Sequence, residues 1–182
     1  MKLEQIKYIG FDLDQTLYPK SPDIDSAIQK YIYEVIAKFK NCSIEEGKDL
    51  FCAHYPVISG RKTLMRLGFP SEQAEQIIQK ALENADILSF LKPNKEVLEM
   101  LTQLKKSYSL ALITGSAKEI ALKKMRALQL PQELFSVFIT GEVIKSDGTA
   151  FLQWMSHIKK DRSEATAKEF LYVGDRKTTD VD

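Results

Sequence analysis

Two aspartates, Asp12 and Asp14, stand two residues apart in the stretch FDLDQTL, where the apolar run Tyr8-Ile9-Gly10-Phe11 ends. Such a run reads as a buried strand, and open α/β sheets do their chemistry at the carboxyl ends of their strands. Two carboxylates at that point can divide a group transfer between them. One attacks as a nucleophile, the other handles protons, and a divalent cation offsets the combined charge. Like charges this close raise each other's pKa unless something cationic compensates. The plainer use of the same pair is an Asx turn in water, and the rest of the chain decides between the two.

Three more polar strand ends follow. Ser109–Thr114 (SLALIT) runs into Gly115-Ser116, a hydroxyl followed by backbone N–H groups at a helix start, which suits a phosphate. Lys145 lies after a third strand, Val137–Thr140. The fourth, FLYV at Phe170–Val173, closes on Gly174-Asp175, with Asp180 five residues later. Each piece alone has an ordinary reading: Ser116 as a helix cap, Lys145 as a solvated lysine, Gly174-Asp175 as a turn. All four in this order favour a site.

Helices must carry these strands. After Ser21, a candidate N-cap, Pro22 opens a helix marked by Ile24, Ile28, Tyr31, Ile32, Val35, Ile36 and Phe39 and ending near Asn41. Ser43-Ile44-Glu45-Glu46 forms a capping box for a second helix, to about Tyr55 before Pro56. A short helix, Arg61–Leu67, ends at Gly68, and Ser71 caps one running through Leu82. Residues 21–90 therefore read as all-helical. Beyond Pro93 the pattern becomes helix (Val97 to Leu104), strand, helix (a capping box at Ser116-Ala117-Lys118-Glu119, to Leu128), strand, helix (Thr149–Ile158), strand. This alternation predicts an α/β fold, a Rossmann-like parallel sheet with right-handed crossovers. The long helical stretch between the first two strands is expected to be an inserted cap, giving a core of 1–20 and 91–182 and an all-helical cap of 21–90.

The bulk numbers narrow the class. The chain has 182 residues, 44% hydrophobic and 28% charged, as in a globular protein. A formal net charge of +1 gives no electrostatic case for nucleic acid or an anionic membrane as partner. Two cysteines, Cys42 and Cys52, neither in a CxxC, fit a reducing cytoplasm. No apolar run approaches the ~20 residues of a membrane span, and the N-terminus lacks a signal-peptide core. Cys52 and His54 are too isolated for a zinc site. Trp154, Tyr31 and Tyr33 are expected in packing, and Arg61 and Lys62 are either anion ligands or a solvated helix end.

At this point the sequence resembles the haloacid dehalogenase superfamily of aspartate-nucleophile phosphohydrolases. FDLDQTL is similar to the family's first motif, LITGS to its second, Lys145 to its third and VGDRKTTD to its acidic fourth; the helical insert matches the capped subfamilies. FDLDQTLYP also resembles the opening of pyrimidine 5′-nucleotidase-like members. The chain departs from the pattern in Ser146 after Lys145, where the family has proline, and in Gly115, where it often has asparagine. It also stops at Asp182 where members continue, so a longer native protein is expected. The resemblance implies Asp12 as nucleophile and Asp14 as acid/base. It implies Mg²⁺ held by Asp12, the Asp14 backbone carbonyl, Asp175 and Asp180, with the phosphoryl group bound by Thr114, Gly115 and Lys145. The implied activity is a Mg²⁺-dependent phosphatase acting on a small phosphomonoester of the nucleotide or sugar phosphate class. The alternatives are a phosphomutase of the same superfamily and a non-catalytic binding protein that keeps the fold. Asp14 and the acidic fourth motif argue against dehalogenation, which needs neither. The helical segment is expected to act as a lid.

Overall fold

A computed structural model describes residues 3–143, 145 and 147–175. Four strands form one parallel sheet in the order β3-β2-β1-β4, with β1 Tyr8–Phe11, β2 Ser109–Ile113, β3 Val137–Ile139 and β4 Phe170–Val173. The register sets Tyr8 opposite Ser109 on one side and Phe170 on the other, and Phe11 opposite Leu112 and Val173. All four strands point the same way, so their carboxyl ends share one rim. β1 is central: the chain passes from it to β2 and β3 on one side, then crosses back from β3 to β4 on the other. That reversal is where α/β sheets place ligands.

Alternation along the strands sorts the two faces. Tyr8, Ala111, Ile113, Val137 and Ile139 pack with Ala150 and Trp154 of α7 (Thr149–Asp161). Gly10 belongs to this face as well. A Cβ there would lie 3.0 Å from both the Trp154 and the Tyr172 rings, so its missing side chain lets these aromatics close over β1. The alternate residues Ile9, Phe11, Leu110 and Leu112 are buried on the other face. Helices α5 (Lys95–Lys105) and α6 (Lys118–Ala127) complete this half of the chain. Asn94 caps α5 by accepting the Glu96 and Val97 amides.

The chain divides into two compact units. One is Met1–Pro19 together with the chain from Leu91 onward, and the other is Lys20–Phe90. The second unit holds four helices: α1 Pro22–Lys40, α2 Ile44–Cys52, α3 Gly60–Arg66 and α4 Ser71–Asn84. Their apolar stripes meet in a core of Ile32, Ile36, Phe51, Leu64, Phe69, Ala74, Ile77 and Ala81, with Tyr31 and Tyr33 packed against it. Gly47 of α2 comes so near the Tyr33 carbonyl of α1 that a Cβ would sit 2.8 Å away. The capping box at Ser43 forms in full, with Glu46 reaching back to the Ser43 amide. Ser21 is the N-cap residue of α1 but its side chain makes no cap bond.

Two local expectations are corrected. Ser71 is the first residue of α4 rather than its cap, because Pro70 takes that position and Arg61 holds the Ser71 hydroxyl at 2.6 Å. Arg61 also pairs with Glu75 at 2.9 Å, so α4 commits its guanidinium inside the helical unit. Ser116 is not the cap of α6; Ala117 is, and the Lys118 amide is accepted instead by Glu142 at 3.2 Å. No helix among the described residues is long and apolar enough to cross a membrane.

Candidate active site

Asp12 follows β1 directly, and its amide donates to the Val173 carbonyl at 2.9 Å, extending the ladder with β4 by one residue. The ladder fixes where the side chain emerges. Its carboxylate is buried, with Oδ1 accepting the Leu13 amide at 2.8 Å and Oδ2 facing Lys145 Nζ at 3.0 Å. Burial pushes the Asp12 carboxyl above its usual range, and Lys145 and the Leu13 amide pull it partly back.

Lys145 is itself positioned. Its Nζ donates to the Tyr172 hydroxyl at 3.0 Å, and that hydroxyl donates to the Ile113 carbonyl of β2 at 3.0 Å. Tyr172 stands on β4 opposite Gly10 and reaches β2 across the strand between. This crossing is possible because Gly10 carries no side chain.

Asp14 is held more firmly. Its Oδ1 takes Tyr18 OH and Lys124 Nζ, each at 2.5 Å. Its Oδ2 takes Ser116 Oγ at 2.9 Å, with Thr114 Oγ1 at 3.5 Å. Burial raises the Asp14 carboxyl, but Lys124, Tyr18 and Ser116 outweigh it and hold the group below the usual range. The Tyr18 hydroxyl is pushed far up by burial and then by the Asp14 charge, with Asp12 and Asp175 adding to it. Asp175 is exposed and stands two residues past the end of β4, at the carboxyl end of the sheet. Asp180 lies outside the described residues.

Thr114 is buried, and its Oγ1 accepts the Ser116 amide at 3.1 Å, which shapes the turn around Gly115. Gly115 is exposed, and a Cβ built on it would meet nothing within 4 Å, so open space borders its backbone. The loop after β3 braces this turn. Gly141 donates to the Ser116 carbonyl at 2.8 Å and comes so close to Gly115 that a Cβ would fall 2.4 Å from its carbonyl oxygen.

The expected residues Asp12, Asp14, Thr114, Gly115, Lys145 and Asp175 thus lie on one rim of one unit. Lys124, Tyr18, Ser116 and Tyr172 were not foreseen as site residues. Two signals for them were present. Lys124 occupies the buried stripe of α6 with Ala121 and Met125, where an apolar residue is the rule. Tyr172 puts a hydroxyl into the otherwise apolar strand FLYV. Lys124 also changes the charge balance. Two lysines pair with two aspartates, so Asp14 does not depend on a metal for its counter-charge.

The donors available for a metal are the Asp12 carboxylate, the Asp14 backbone carbonyl and Asp175, all hard oxygens, which suits Mg²⁺ rather than zinc. The Asp14 side chain is already occupied by Lys124, Tyr18 and Ser116. Among the described residues no three His, Cys, Asp or Glu side chains gather as a metal cluster.

This sheet order, with its acids and lysines collected at the carboxyl ends, is that of a Rossmann-like α/β core. Residues 9–182 match the family of haloacid dehalogenase-like hydrolases, and the chain belongs to it. It is 28% identical over 185 residues to a phosphoglycolate phosphatase of Aliivibrio fischeri, covering 96% of this chain and 78% of the relative. A phosphoglycolate phosphatase of Vibrio parahaemolyticus is 27% identical, with 97% and 78% covered. In fold the chain is similar to a haloacid dehalogenase-like protein of Bacteroides fragilis, at TM-score 0.69 and 21% identity, covering 96% of this chain and 80% of that one. A haloacid dehalogenase-like family hydrolase of Streptococcus pneumoniae gives TM-score 0.64 at 18% identity, with 97% and 79% covered. The expectations of this family, of a hydrolase within it and of its α/β fold hold.

Proposed function

We propose that the protein is a Mg²⁺-dependent phosphatase acting on a small phosphomonoester through an aspartyl-phosphate on Asp12. The observation that carries this reading is the buried Asp12 carboxylate, aimed by the β1 ladder and paired with Lys145 at the carboxyl end of the sheet. An Asp12 oxygen attacks phosphorus as the bond to the leaving oxygen breaks, and the Asp14 carboxylate relays a proton taken up from solvent to that leaving oxygen. A water then attacks the aspartyl-phosphate, Asp14 takes its proton, and the bond from phosphorus to Asp12 breaks to release phosphate. Thr114, the Gly115 amide and Lys145 bind the phosphoryl oxygens as charge builds on them. Asp12, the Asp14 carbonyl and Asp175 would hold Mg²⁺, with Asp180 supporting them, and the bound ion would supply charge neutralisation and phosphoryl orientation. With the two aspartate–lysine pairs neutral, Asp175 and a phosphoryl dianion would leave net negative charge for a divalent cation to balance.

The names of the two curated relatives make 2-phosphoglycolate the first ester to assay. Residues 20–90 are read as the cap that sets substrate choice, and the absence of a basic excess favours a small soluble substrate over nucleic acid. The test is phosphate release from 2-phosphoglycolate and p-nitrophenyl phosphate, with and without Mg²⁺, by the parent protein and by Asp12→Asn. The expected result is turnover that stops on chelation and falls at least about a hundredfold in Asp12→Asn, with no phosphoenzyme. No turnover of either ester, or turnover that survives chelation, overturns the reading. An isomerised phosphate ester in place of free phosphate would move it to a mutase.

A further inference from the structure

Lys124 is a buried cation on a helix face built for apolar residues. Its neighbours on that face are Ala121 one turn before and Met125 beside it, both buried. Burying a lysine costs several kcal/mol unless a partner is supplied, and an apolar residue of similar size is usually at least as stable there. A position that breaks the helix pattern without a gain in packing is the kind found at functional sites. Its ammonium is 2.5 Å from Asp14 Oδ1 and 2.9 Å from Ser116 Oγ.

The two oxygens of Asp14 are treated differently. Oδ1 receives two short bonds, from Lys124 and from Tyr18. Oδ2 has one ordinary bond, from Ser116, and a long contact to Thr114, the residue that ends β2. The clamped oxygen faces helix α6 and the loop after β1. The less committed one lies on the side of Thr114 and the open space at Gly115.

We propose that Lys124 is a positioning residue of the reaction: with Tyr18 it clamps Oδ1 of Asp14, which leaves Oδ2 as the oxygen that exchanges protons with substrate and water. Without Lys124 the carboxylate keeps Tyr18 and Ser116 but loses the charged half of the clamp, and it rotates away from the phosphoryl site. This rests on the acid/base reading of Asp14.

The test compares the parent protein with Lys124→Met, Asp14→Asn and the double variant, on 2-phosphoglycolate and p-nitrophenyl phosphate. An alkyl leaving group needs a proton, and nitrophenolate departs without one. Lys124→Met is expected to lose kcat on 2-phosphoglycolate by about tenfold or more, and on the aryl ester by less than about threefold. The double variant is expected to match Asp14→Asn within about twofold on both esters, since Lys124 acts through Asp14, directly and by way of the Ser116 hydroxyl. The double variant removes both charges together, so this arm stands even if Lys124→Met alone does not fold. Equal losses on the two esters in Lys124→Met, no loss, or a further loss in the double variant overturns the proposal. An Asp14→Asn variant that loses both esters equally overturns the acid/base reading of Asp14, and this proposal with it. A split in Asp14→Asn without one in Lys124→Met overturns the proposal alone.

Discussion

At the scale of single residues, a hydroxyl connects two strands to the site. Tyr172 OH gives its proton to the Ile113 carbonyl and accepts from Lys145. Its ring packs edge-on against Phe151, so Tyr172→Phe removes the hydroxyl and keeps most of the packing. The change leaves the carbonyl and the ammonium each short of a partner, at a cost of about 1–2 kcal/mol. We expect a small fall in melting temperature and a severalfold loss of kcat, because Lys145 is no longer held where it meets Asp12. Unchanged kcat beside lowered stability would make the hydroxyl structural only. The placements of Asp12 and Lys145 at the strand ends were legible in the sequence, since each ends or follows a strand whose type the sequence declares. The roles of Lys124, Ser116 and Tyr172 were not. They depend on contacts between residues far apart in the chain, such as Lys124 with Asp14, and no local pattern encodes such a pair.

At the scale of elements, the site depends on close approaches that few residue types permit. Gly10 is the clearest. A methyl group there must displace Trp154 or Tyr172, both ring systems in a packed core. The backbone gains some stiffness from alanine, worth about 0.5–1 kcal/mol, but overpacking costs about 1–3 kcal/mol and wins. Gly10→Ala should therefore lower the melting temperature. It should also reduce kcat, because one of the two crowded rings, Tyr172, carries the Lys145 acceptor. Raised stability would mean that the rings have room to yield. Gly10 stands inside a strand pattern, where an isolated glycine signals close approach, so this feature was readable in advance. The start of α6 was not. Ser116-Ala117-Lys118-Glu119 has the composition of a capping box, yet Ser116 turns its hydroxyl to Asp14 and Glu142 accepts the Lys118 amide. The competing partner was a charge brought in by another strand, and a local rule cannot weigh it.

At the scale of the whole molecule, two buried clusters among the described residues belong to different units of the chain. One surrounds Trp154 on the sheet, and the other joins the four helices of Lys20–Phe90 around Phe51 and Leu64. The residues that could do chemistry belong to the first unit. The strand period disappears between Pro22 and Phe90, whereas which helices share a core emerges only from the packing. Chains of two compact units need not unfold in one step. Trp154 is the only tryptophan, so its fluorescence reports on the sheet unit, while far-UV circular dichroism weighs the helices of both. Leu64 is fully buried in the helical unit, and Leu64→Ala removes its contacts at a cost of about 2–5 kcal/mol. In urea we expect the circular dichroism curve of Leu64→Ala to gain an earlier step while the Trp154 transition keeps its midpoint. Burst labelling of Asp12 by p-nitrophenyl phosphate should survive below that step's end, since none of the site residues described on the rim lies in the unit that has opened. A Trp154 midpoint that moves in parallel with the circular dichroism would show that the two cores fold as one cooperative structure.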